Sequence, residues 1–405
     1  MKRFLLGTAI VGVALTSCVK EEAANPQDLV AQKITFDAPV MYSNQETRAN
    51  WYGEISTESV NGAYSYPTDE DFVIYAIGHK NSFSGWEDED NSEVAAFNGM
   101  SISYDINVDG WAPRTEDGKY FYWNKEKMMS FAACSPADLE QAHWNNVEKR
   151  SYGADGLTIP DYQVSADASK QYDLMFSTRA VNKTSADMNH LAGYYSGLPI
   201  TFQHALSSIR FSIANSSSES VVLTGIEVDG VKYKGTFYEN IVEGETNKGA
   251  YVRNDGTNNG NVTPEWDTTD DIIANPYIAF SGSIPFYAEA RYVSQLVENA
   301  KDENNICNQL LLMPQELPDD ATVIVHYTVN GKANTKPVKI KGLHTSTIVD
   351  GTAVENENEI ITAWEMGKRY TYRLYYSSAT ADKDKIYFSP STDDWKDVNI
   401  IVVPL

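Results

Sequence analysis

The run Thr322-Val323-Ile324-Val325-His326-Tyr327-Thr328-Val329, followed by Asn330-Gly331 and then Val338-Lys339-Ile340, restricts the fold of this chain more than any other stretch. Asn-Gly supplies the positive φ angles of a two-residue hairpin turn, and the first flank is rich in β-branched residues. The same style recurs along the chain. Ile34, Phe36, Ala38 and Val40 alternate with Lys33, Thr35, Asp37 and Pro39, which predicts a strand with one buried face. Phe72 to Ile77 is continuously apolar, as in a sheet covered on both faces. Ile102, Tyr104, Ile106 and Val108 alternate into the turn signal Asp109-Gly110. Met128 to Ala133 reads as a core strand, and Ile200 to Ala214 resumes alternation, with Ser208, Arg210 and Ser212 between apolar neighbours. Leu310 to Met313, the tyrosine-faced Lys368 to Tyr376, Ile386 to Phe388 and Val398 to Val403 complete the set. Short helices are expected only near Asp138 to His143 and Arg291 to Ala300. Many short strands with frequent turns predict a mainly β protein of two β-sandwich domains.

Residues 239–270 are rich in Asn, Gly, Thr and Glu, and this shift in composition places the domain boundary at about 245/246. The expected division is 33–245 and 246–405. With 56 acidic and 32 basic side chains the net charge is -24, which repels phosphates and leaves no footprint for a nucleic-acid partner. The acidity reads as solubility of an exposed protein.

Residues 1–17 form a secretory signal: Met1-Lys2-Arg3 is basic, Phe4 to Thr16 is uncharged, and Leu15-Thr16-Ser17-Cys18 is a bacterial lipobox. The apolar run is too short to cross the ~30 Å of a bilayer core as a helix. Cys18 is therefore expected to carry lipid and to begin a tether, 18–32. Val19-Lys20-Glu21-Glu22 resembles the surface-export signal of lipoproteins in the Bacteroidota. Cys134 and Cys307 remain; a disulfide is one reading in an exported protein, and their apolar neighbours favour two buried thiols.

Catalytic patterns are missing from the sequence: there is no phosphate-binding glycine loop, no Gly-x-Ser-x-Gly and no His-Glu-x-x-His. No two of the six histidines lie within five residues, so no local spacing proposes a metal site and no cofactor is expected. His204 and His326 read as structural histidines inside strands. Acids such as Asp69-Glu70-Asp71 and Asp393-Asp394 lie beside turns. Trp86, Trp111, Trp144 and Trp266 lie near polar loops, where they either stack on sugars or pack at sandwich edges.

Five features in order resemble the fimbrillin family, the subunits of lipoprotein-derived pili in the Bacteroidota. They are the lipobox with its acidic tether, Thr47-Arg48-Ala49, and Phe202-Gln203-His204-Ala205-Leu206-Ser207-Ser208-Ile209-Arg210-Phe211. Leu311-Leu312-Met313-Pro314-Gln315 and Gly367-Lys368-Arg369-Tyr370-Thr371-Tyr372, with a terminal strand near Trp395, complete them. The resemblance implies two tandem transthyretin-like sandwiches and a lipoprotein precursor displayed at the outer membrane. It implies cleavage at Arg48-Ala49, removal of the first strand within 33–48, and filling of the gap by a neighbouring subunit. The donor would lie in 396–405, with Val398, Ile400 and Val402 on one face and Ile401, Val403 and Leu405 on the other. The partners are then other pilus subunits, with a host surface or glycan beyond them. The competing expectation is a monomeric surface lipoprotein that binds glycan or host protein through its loops; a two-carboxylate glycosidase is a distant third.

Overall fold

The computed structural model describes residues 32–37, 39–40, 59–60, 63–79, 92–124, 127–137, 150–153, 156–177, 180–187, 197–200, 202–215, 217–239, 264–286, 295–296, 309–349, 352–376 and 386–394. Among them the regular structure is almost entirely β, interrupted by two single-turn 3-10 helices at Ala168–Lys170 and Ser185–Asp187.

The hairpin read from Asn330-Gly331 forms as predicted. Thr322–Val329 pairs with Lys332–Lys339 from Thr322↔Lys339 to Val329↔Lys332, leaving two residues in the turn. Asn330 and Gly331 take φ of 48° and 79°, as a type I′ turn requires. Lys332–Lys339 is the outer strand of its sheet. It carries Lys332, Lys336, Lys339 and Pro337, residues that blunt an edge against further pairing.

That sheet runs Tyr277–Pro285, Val221–Asp229, Thr322–Val329, Lys332–Lys339. A second sheet has Ser207–Asn215 beside Lys368–Tyr376, parallel from Ser208↔Arg369 to Asn215↔Tyr376, and then Ile386–Asp394. The inner faces meet in one core. Ile209, Phe211, Ile213, Tyr370, Tyr372 and Leu374 oppose Leu223, Ile226, Val228, Val323, Val325 and Tyr327. The Tyr327 and Tyr376 rings lie 6.4 Å apart across it. The predicted tyrosine face is thus the inner face of a sandwich.

Three expectations fail here for stated reasons. Gln295–Leu296, within the expected helix at Arg291 to Ala300, pairs as a strand with Ile213 and Ser212, extending the edge of Ser207–Asn215. The polar face of Ser207–Asn215 is buried along with the apolar one: Ser208, Arg210 and Ser212 are covered, and Gln309 accepts from the Ser208 hydroxyl at 2.5 Å and from Arg210 Nε at 3.1 Å. Ile106, expected to face the core, is 81% exposed, because the strand ends at Asp105 and residues 106–109 are the turn. The helix expected near Asp138 to His143 lies outside the described residues.

The N-terminal region is a twelve-stranded sheet built only from residues between Phe36 and His204. Its central strand Phe72–His79 is buried on both faces, as its apolar run predicts. Phe72, Ile74 and Ala76 face an inner core with Phe97, Phe131 and Phe202. Val73 and Tyr75 face the other side, in the core shared with the sandwich. A small sheet of Ser151–Gly153, Gly156–Gln163, Lys234–Tyr238 and Glu265–Thr268 closes that second side, with Phe176 and Phe237 5.1 Å apart. Gly156–Gln163 pairs with Lys234–Tyr238, and Lys234–Tyr238 with Glu265–Thr268, so this small sheet draws strands from both sides of position 245/246.

Two glycines at positive φ separate turn strain from steric clash. Gly331 has open space where a Cβ would go, whereas at Gly230 a Cβ would lie 2.7 Å from the Asp320 carbonyl oxygen. Gly331→Ala is expected to cost about 1–2 kcal/mol from the left-handed backbone alone. Gly230→Ala should cost clearly more; equal denaturant midpoints for the two variants would show that the Asp320 contact yields freely.

Candidate functional site

The leading segment, residues 32–40, occupies an unusual place in the twelve-stranded sheet. Phe36–Asp37 pairs in parallel with Leu198–Pro199 and in antiparallel with Gly110–Ala112. Pro39–Val40 pairs in parallel with Phe202 and in antiparallel with Ala63–Ser65. In the strand order these two short pieces lie near opposite ends of the sheet. One residue, Ala38, separates them in the chain. The sheet therefore curls until its ends meet, and the leading segment is the seam.

The main chain is satisfied along both edges. Ile34 N–H donates to the Phe121 carbonyl at 2.9 Å and Trp123 N–H to the Gln32 carbonyl at 3.0 Å. On the other edge Leu198 N–H donates to Thr35 and Ile200 N–H to Asp37, both at 2.8 Å. Ile34 and Phe36 sit wholly inside the inner core, the Phe36 ring edge-on to Phe131 at 5.3 Å. Thr35 and Asp37, on the opposite face, are also buried, Asp37 to 2% exposure. The expected strand with one buried face is thus a strand covered on both. Its period-two pattern shows only the apolar half of that environment.

Gly197 makes this close seating possible: a Cβ there would lie 2.5 Å from the Phe36 carbonyl carbon. The far wall is aromatic. Tyr66 packs on Phe72, Trp111 and Phe202 with centroids 5.3, 5.8 and 5.3 Å away. Trp111 is the partner of Phe36 and Phe202 the partner of Val40, so one ring bridges both halves of the seam. The Tyr66 hydroxyl donates to the Asp71 carbonyl at 3.0 Å and lies 2.7 Å from Ser135 Oγ. Burial pushes its pKa well up, so it stays a neutral donor.

Glu70 borders this wall, its carbonyl accepting from the Trp111 indole N–H at 3.4 Å. The residue lies beside the turn at 68–69, as its sequence suggests, and its side chain is buried. Burial first, then the neighbouring Asp69 and Asp71, push its pKa from 4.5 up to about 8.

The remaining sequence candidates resolve individually. Trp111 is fully buried, and Trp266 donates to the Ala205 carbonyl at 2.6 Å while packing on Phe237 and Tyr162, so both are packing residues. Cys134 is a buried free thiol whose pKa burial pushes up. His204 is a buried structural histidine, Nδ1 2.8 Å from Asp173 Oδ1. Trp86, Trp144, Cys307, Cys18, Arg48, Ala49, Val398, Ile400 and Val402 lie outside the described residues. Sequence reading missed Tyr66 and Gly197; a lone Tyr before Pro67 and a lone Gly before Leu198 carry no local signal.

Asp105-Ile106-Asn107-Val108-Asp109-Gly110 through Glu116 has the spacing of a calcium loop. Here it is a hairpin turn, with Asp105 engaged by Arg114, by the Tyr120 hydroxyl at 2.6 Å and by the Asn107 amide at 2.9 Å. Among the described residues no group of three His, Cys, Asp or Glu could hold a metal ion.

A family model described as fimbrillin-like matches residues 68–395. That span starts after the seam strand and stops before the last ten residues. No curated protein sequence matches the chain. Similar solved structures include a fimbrial protein from Bacteroides vulgatus, 14% identical, covering 90% of this chain and 99% of that one with a TM-score of 0.45. A candidate cell adhesion protein from Bacteroides ovatus is 13% identical, with 92% and 100% covered and a TM-score of 0.45. The C-terminally truncated tip fimbrial protein Mfa3 from Porphyromonas gingivalis is 11% identical, with 81% and 95% covered and a TM-score of 0.30.

Two variants probe the seam. Gly197→Ala should displace Phe36 and speed amide exchange at residues 34–37; unchanged exchange there would show the approach is not tight. Because the folded pKa of Glu70 is raised, its contribution to stability is present in full below about pH 4.5 and is lost as pH rises through about 8. Glu70→Gln, neutral throughout, should therefore gain Tm over the native chain progressively across that window. A pH-independent difference would remove Glu70 from the account.

Proposed function

This chain belongs to the fimbrillin-like family, and from that membership we propose that it is a structural subunit of a cell-surface pilus serving adhesion. The precursor is exported as a lipoprotein on Cys18 and reaches the outer membrane. It is cut at Arg48-Ala49 and loses its leading strand. The vacancy takes the terminal strand of a neighbouring subunit.

The observation that carries this reading is the seam. A segment that is hydrogen-bonded along both edges and covered on both faces leaves, on departure, a slot with two rows of unpaired N–H and C=O groups and an apolar floor. Such a slot is a template for another strand. Refilling ~300 Å² of apolar surface contributes ~7 kcal/mol before ordering costs, at ~25 cal/mol per Å². The chain's own strand buries Ile34 and Phe36 on one face and Thr35 and Asp37 on the other. The donor segment offers Val398, Ile400 and Val402 on one side, and Ile401, Val403 and Leu405 with Asn399 on the other, so either face can fill the apolar floor. The reading of a monomeric glycan binder loses Trp111 to the interior, and the indole N–H of the half-buried Trp266 is engaged by the Ala205 carbonyl.

Two measurements test the proposal. N-terminal sequencing of protein shed from cells should begin at Ala49; another start removes Arg48 from the account. Deleting residues 396–405 should abolish the ladders that unboiled protein gives on a gel. Ladders that persist after the deletion would exclude that segment as donor.

A further inference from the structure

The seam is held at its N-terminal end by a side-chain contact that neither main-chain pairing nor core packing requires. The Lys33 ammonium nitrogen lies 3.8 Å from the centroid of the Tyr120 ring, and the Arg114 guanidinium carbon lies 3.7 Å from the same centroid. Two cations so close to the ring axis can be accommodated only on opposite faces. Tyr120 is thus sandwiched, one face taken by its own hairpin and the other by the leading segment. The ring is also held by contacts that do not involve Lys33. Its hydroxyl donates to Asp105 Oδ2 at 2.6 Å and accepts from Arg114 Nη2 at 2.9 Å. Arg114 is itself anchored to the Gly118 carbonyl at 2.8 Å and ion-paired to Asp105. Asp105 offsets the charge of Arg114, so the second cation meets an aromatic face rather than an uncompensated positive charge.

We infer that Tyr120, held by Asp105 and Arg114, is a clasp whose open face grips Lys33 and retains the entry end of the leading segment in the seam. A strand pulled from its N-terminal end peels one pairing at a time, and the clasp sits where that peeling begins. Resting on the strand-exchange reading above, the clasp is an autoinhibitory contact: it favours the chain's own strand over an incoming one. The donor segment 396–405 carries its single cation, Lys396, at its first position, and its apolar stretch Val398 to Leu405 brings no lysine or arginine to the clasp.

The test is hydrogen–deuterium exchange of the full-length chain and of its Lys33→Met, Lys33→Arg and Tyr120→Leu variants, with ladder formation followed in parallel. Lys33→Met and Tyr120→Leu should each speed exchange at residues 34–37 about two- to fivefold, the range of an exposed cation–π contact. Residues 72–79 should be unchanged, and Lys33→Arg should match the native chain. Native protection at 34–37 in Lys33→Met overturns the clasp, as does acceleration spread equally over 72–79. Selective acceleration without ladders in any chain upholds the clasp and counts against strand exchange. Ladders at the native rate with native protection in Lys33→Met do the reverse.

Discussion

One constraint organises the N-terminal half: two ends of a long sheet must be joined by a single extended segment. Parallel pairing to Leu198–Pro199 and Phe202 and antiparallel pairing to Gly110–Ala112 and Ala63–Ser65 all converge on residues 36–40. A parallel neighbour cannot be reached by a tight turn, so these contacts join parts of the chain far apart in sequence. Backbone groups buried at such a seam must all be paired, because each orphan costs roughly 1–3 kcal/mol.

The lining explains how so short a strand is held. Gly197 allows main chain to approach main chain, and the Tyr66, Trp111 and Phe202 rings pack on one another beside the segment. The charged features lie at the margins. Burial beside the wall pushes the Glu70 pKa up to about 8, and the Lys33–Tyr120–Arg114 stack lies at the N-terminal end of the segment.

The C-terminal sandwich follows simpler rules. Its strands alternate cleanly, its hairpin is closed by Asn330-Gly331, and its outer strand is defended by lysines and proline. It contributes to a core that continues through Phe237 and Phe176 to the outer face of Phe72–His79. The central strand is thereby covered from both sides.

Period and turn chemistry alone determined that this chain is β-rich, where the hairpin at 330–331 closes, that Phe72 to Ile77 is buried on both faces, and which side of Lys368 to Tyr376 points inward. These are local properties, written in the residues that form them. Tertiary structure alone decided that the leading strand is a seam covered on both faces, that Ser208 and Arg210 are interior, that Ile106 is a turn residue, and that Glu70 and Trp111 belong to the seam wall. Each depends on what a distant segment places against a given face. A period of two reports which side chains share a face, but it carries no information about what covers the other one.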